Sequence, residues 1–144
     1  MQAADLVATF ITSKLDTEAE VQRVVSNAAA SNRAVMFVNV DWAPMEPQQM
    51  RFAEFAIAYR RKHPIDPVHF HYVDCSRSTY TPLSSLAGWQ ELQDAAGSSL
   101  IHGWGELVWM ERGQVLHVEK IMNFASTSAL IEKTELLMPA KNRD

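Results

Sequence analysis

Residues 34–40 (AVMFVNV) form a nearly continuous apolar run of strand length, ending in Asp41-Trp42-Ala43-Pro44-Met45 before a long helical pattern. A strand with one wet face alternates apolar and polar residues. A run like this one is buried on both faces, as in a parallel or central position. Such a strand needs cover above and below the sheet, which points to an α/β layer architecture. A chain of 144 residues is long enough for one domain with its own core. Its 47% hydrophobic and 21% charged composition is ordinary for a soluble globular protein.

The flanking sequence supplies the other elements. Residues 6–12 (LVATFIT) are short and β-branched and read as a strand. Thr17-Glu18-Ala19-Glu20 is a capping box, after which Val21, Val24, Val25 and Ala28 recur at helical spacing to about Ser31. Pro47 opens the next helix, where its missing N–H is not needed. Met50, Ala53 and Ile57 make its apolar stripe, widened by Phe52, Phe55, Ala56 and Tyr59. Arg60-Arg61-Lys62-His63 suit its C-terminal end, and Pro64 stops it. Residues 68–73 (VHFHYV) read as a third strand. In the longer segment that follows, Thr81-Pro82 looks like an N-cap and the first helical residue and Gly97 a C-cap, with Leu83, Leu86, Trp89 and Leu92 between them. Residues 106–110 and 114–118 are strands joined at Glu111-Arg112-Gly113, a hairpin signal. Ser126 caps a last helix reaching about Met138. The expected order is β-α-β-α-β-α-β-β-α. Strands separated by helices pair in parallel and the closing hairpin adds antiparallel strands, giving a mixed sheet of about five strands flanked by helices.

That order, with a strand–Trp/Pro turn–helix near residue 42 and a late hairpin, resembles the thioredoxin family over roughly residues 6–137. The resemblance implies a single three-layer thioredoxin-like domain over 1–144, with a longer segment at about 75–102. It rests on topology and spacing. Aligning the turn puts Trp42-Ala43-Pro44-Met45 where the family has Cys-Gly-Pro-Cys, and only the proline survives. A register one residue later puts Ala43 and Glu46 at the cysteine positions. Where the family places a cis-proline before the hairpin, this chain has Gly105, and a trans peptide is expected there. The family's buried Asp and its strand Lys correspond to Met36 and Phe70. With no thiolate to manage, a buried ion pair would be only a desolvation cost.

Disulfide exchange needs an attacking thiolate and a second thiol to resolve the mixed disulfide. Cys75 is the single cysteine. A dithiol mechanism within this chain is therefore excluded, and a reduced cytoplasmic setting is expected. Residues 1–5 lack a basic region and carry an early acid, so no secretory leader is expected. A net charge of −4 gives no sign of a nucleic-acid surface. No apolar run is long enough for a membrane span.

Trp42, Ala43, Pro44 and Met45 are expected at the C-terminal end of a parallel strand, where α/β sheets place binding crevices, with Trp104 and Gly105 beside them. Trp and Met are common contact residues of protein interfaces. These six residues form the candidate binding surface for a protein or peptide; the alternative is that the two tryptophans simply plug the space. Cys75 is a second candidate, as a lone redox-sensing thiol or the thiol of a one-cysteine enzyme, although the adjacent Asp74 would raise its pKa. His69 and His71 share one strand face, short of the four ligands of a structural zinc site. No cofactor, metal or catalytic residue is implied. Self-association through the Trp-rich face, giving a homodimer, is a further possibility.

Overall fold

The computed structural model describes residues 2–12, 17–65 and 68–139. The elements are α1 (Ala3–Thr12), α2 (Glu18–Ala30), β1 (Arg33–Val40), α3 (Glu46–Lys62), β2 (His69–Cys75), α4 (Thr81–Ser84), α5 (Trp89–Ala96), β3 (Glu106–Glu111), β4 (Gln114–Lys120) and α6 (Thr127–Leu137). The sheet runs β2-β1-β3-β4. β1 pairs β2 in parallel, with Val40 beside Cys75, and pairs β3 antiparallel, with Val38 beside Glu106.

β1 is buried along its whole length, as its apolar run requires. Its alternate residues feed two separate cores. Met36, Val38 and Val40 meet α2, α4 and α5 through Val21, Val25, Leu83 and Trp89. Val35 and Phe37 meet α3 and α6 through Phe52, Phe55, Tyr59 and Leu130. The result is the expected three-layer mixed α/β arrangement of a thioredoxin-like fold.

Local signals explain several boundaries. The Thr17 hydroxyl accepts from Glu20 N at 3.3 Å to start α2, and Ser126 accepts from Ala129 N at 3.1 Å to start α6. The β3–β4 connection is a two-residue turn with φ +52° at Arg112 and +79° at Gly113, the left-handed pair of a type I′ hairpin.

Several expectations are corrected. Residues 6–12 are not a strand: they lie in α1, which packs on α3, so the sheet has four strands rather than five. The helix closes its own backbone bonds, with the Asp5 and Leu6 amides both donating to Gln2 O, and no neighbouring strand is needed. The single helix expected over 81–97 is two. Ala87 leaves the helix to bridge Gln114, and its carbonyl accepts from Val115 N at 2.8 Å. Gly88, at φ +87°, turns the chain back into α5 and leaves no room for a Cβ against Gln114. Helix α4 also begins at Thr81 itself rather than after it. In α3 the buried face is Gln49, Phe52, Ala53, Phe55, Ala56 and Tyr59, whereas Met50 and Ile57 are half-buried.

Candidate functional site

The turn after β1 carries Trp42, Ala43, Pro44 and Met45, and it does not present them alike. Met45 is buried at the start of α3, where its carbonyl accepts from Gln49 N at 2.8 Å. Pro44 is exposed and Ala43 half-buried. Trp42 is half-buried beneath the segment that follows β2: the Tyr80 ring lies 6.0 Å from the Trp42 ring, and the Arg77 guanidinium stands 5.0 Å from its centroid. Gly103 closes the other side, since a Cβ there would sit 2.6 Å from the indole nitrogen. The segment after residue 75 therefore partly covers this end of the groove, and Trp42 acts largely as packing.

Trp104 is the opposite case. It is 52% exposed, one of the few large apolar side chains left in water among the described residues. It sits between Gly103 and Gly105, at φ +81° and +77°, in a backbone shape that ordinary residues rarely adopt. His102 stacks on its ring at 4.5 Å and 22°, and Lys120 Nζ lies 4.7 Å from the ring centroid. The indole is thus exposed yet packed by two neighbours. A side chain so packed has less rotamer freedom to lose when a partner arrives, which is how interface anchors gain affinity. Gly105 is buried against Gln48 and Phe37, and its carbonyl accepts from Ile121 N at 2.9 Å.

Glu106 was not among the expected site residues. It is 2% exposed, and its Oε2 accepts from the His102 backbone N–H at 3.2 Å, pinning the loop that carries Trp104. Its Oε1 is buried with no hydrogen-bond partner among the described residues. An acid opening an otherwise apolar strand (ELVWM) was the available signal. Burial raises its pKa above the ordinary 4.5, against the pull of the backbone amides. The folded state therefore holds this proton to higher pH than the unfolded chain does. Its contribution to stability is full below about pH 4.5 and is lost as pH rises through the folded value. Glu106→Gln, which cannot ionise, is expected to gain stability relative to wild type between pH 4 and 7, as read by thermal midpoints across that range. A constant difference would contradict this.

A second buried polar group lies behind the turn on the α3 side. Asn39 donates to Asp74, and Gln49 Nε2 donates to Asn39 Oδ1 at 3.1 Å and to the Tyr72 hydroxyl at 3.0 Å. It ties the ends of β1 and β2 to the first turn of α3. Asn39, a polar residue inside the apolar run, was its sequence signal.

Cys75 ends β2 at the same end of the sheet, on the face of Trp42 and Tyr80. It is 1% exposed. Burial pushes its thiol up to about 12, helped by Asp74 and Asp41 and opposed by the Thr79 hydroxyl. A thiol reagent is expected to modify Cys75 only as the protein unfolds, with no thiolate absorbance in the native protein below about pH 9. Rapid native labelling at pH 7 would contradict the burial.

His69 and His71 share one face, their ring centroids 6.5 Å apart. Among the described residues no three His, Cys, Asp or Glu side chains gather as a metal site would require, and no helix is long and apolar enough to cross a membrane.

No protein-family model matches the sequence, and no curated protein matches it either. Among solved structures, a yeast mitochondrial one-cysteine peroxiredoxin, studied for thiol resolution through glutathione and thioredoxin systems, is similar at 13% identity with a TM-score of 0.40. That likeness covers 88% of this chain and 97% of the peroxiredoxin chain. The sheet order, the parallel β1–β2 pair around α3 and the closing hairpin followed by α6 define the chain as an α/β protein with a thioredoxin-like fold.

Proposed function

We propose that this protein is a non-catalytic binding module that docks a protein or peptide on the end of the sheet where the redox turn of a thioredoxin would lie. The surface is the exposed part of the 42–45 turn together with the 102–106 loop, and Trp104 is its anchor. The observation that carries this reading is an indole half in water yet packed by His102 and Lys120. Trp42, covered by Arg77 and Tyr80, supports the loop from behind; Pro44 and Ala43 border the contact.

The setting that fits a buried, unpaired cysteine is a reducing compartment such as the cytoplasm. The competing reading is a single-thiol enzyme or redox sensor at Cys75. It requires a thiolate that the burial of this side chain opposes. A second copy of the chain is one candidate partner, and sedimentation over a range of concentrations would report it.

Affinity capture from native lysate with wild type and with Trp42→Ala/Trp104→Ala tests the proposal. A partner held by wild type and lost by the folded double variant is the expected result. Equal capture by both would overturn it.

A further inference from the structure

Behind Trp104, the segment after α5 and strand β4 leave a cleft of about 220 Å³, with Leu100, His102, Trp104, Glu106, Val118 and Lys120 in its lining. Three features of this cleft point the same way. First, the buried Glu106 Oε1 makes no hydrogen bond of ordinary geometry among the described residues, although the Trp104 and Glu106 backbone amides lie near the carboxylate, and a buried acceptor left unpaired is costly. Second, the Trp104 ring already carries an ammonium, that of Lys120 at 4.7 Å, so the ring is a working cation–π acceptor. Lys120 is the cross-strand neighbour of Glu106, but its ammonium rests on the indole instead of the carboxylate. Third, Leu100 and Val118 give the cleft apolar walls, which suit a methylene chain ending in a charge.

We propose that this cleft receives a primary alkylammonium group, seated between the Trp104 ring and the Glu106 carboxylate with its methylenes along Leu100 and Val118. The incoming ammonium displaces that of Lys120 from the ring and, entering from the cleft, sits nearer the Glu106 carboxylate than Lys120 does in the free protein. The same chemistry is offered by the lysine side chain of a polypeptide and by a free alkylamine. The inference rests on the reading of the Trp104 face as the working surface, and it names what a partner presents there.

The test is an NMR titration of the whole protein with n-butylammonium, with N-acetyl-lysine N-methylamide, and with the norleucine analogue as uncharged control. The Trp104 indole signal is expected to move with the lysine compound and not with norleucine. Glu106→Gln keeps the shape and is expected to weaken binding about tenfold or more. Lys120→Ala removes the competing ammonium and is expected to strengthen it; a cleft built for anions would be weakened by the same change. Binding of both amines supports the proposal and shows that a free amine suffices, whereas binding of the lysine compound alone supports it and assigns the ligand to a polypeptide. No response to either amine, or an equal response to norleucine, overturns it. Partner capture surviving Trp104→Ala would overturn the reading of the face without touching the amine result. A silent titration with capture intact would overturn the cleft assignment alone.

Discussion

Gly105→Pro is expected to cost about 3 kcal/mol of stability or more. The family resemblance puts a proline at this place, so the substitution looks like a restoration. The backbone says otherwise. Gly105 stands at φ +77°, whereas a proline ring fixes φ near −65°. A Cβ here would also lie 2.8 Å from Gln48 Cγ and 3.4 Å from Phe37 Cε1. The loop holds a conformation open to glycine, and in that conformation Trp104 stands outward. Urea unfolding would show the loss as a lower midpoint at unchanged slope. A midpoint equal to wild type would mean that the loop can return to the proline geometry without strain.

Phe37→Ala is expected to cost about 3–5 kcal/mol, the range for removing a large aromatic from a closed core. Phe37 is fully buried on β1, stacked on Phe52 at 5.3 Å and on Tyr72 at 5.6 Å. It also lies against Gly105, so the cavity would open directly beneath the Trp104 loop. The variant should lose amide-exchange protection at Ile121, whose N–H bonds the Gly105 carbonyl, by more than the global loss of stability accounts for. Loss confined to the global term would separate the core from the loop.

The sequence made the centre of the fold legible because its signals there are redundant. β1 is apolar except for Arg33 and Asn39 and is buried on both faces. Thr17, Pro47, Gly97, Gly113 and Ser126 each mark an element end by a local mechanism. The misread parts lacked such signals. In the seven residues of 6–12, β-branched side chains suit a strand, but nothing in so short a run tells whether a partner strand exists. The break at Gly88 is set by the Ala87–Gln114 bridge, a long-range contact that no window of sequence contains. The candidate site divides the same way. Its position at the end of β1 followed from topology. Which tryptophan is presented did not, because Trp42 is covered by Arg77, Tyr80 and Gly103 from elsewhere in the chain. Glu106 reads as an ordinary strand start until its carboxylate is seen holding the His102 amide.

Contact through Trp104 and thiol chemistry at Cys75 make opposite demands on this end of the sheet, the first an exposed indole and the second an accessible thiolate. The most direct measurement is quantitative capture of partners by wild type, Trp104→Ala and Cys75→Ser side by side, each confirmed as folded. The expected result is a partner lost with Trp104→Ala and retained with Cys75→Ser. A partner retained by Trp104→Ala and lost with Cys75→Ser would contradict it.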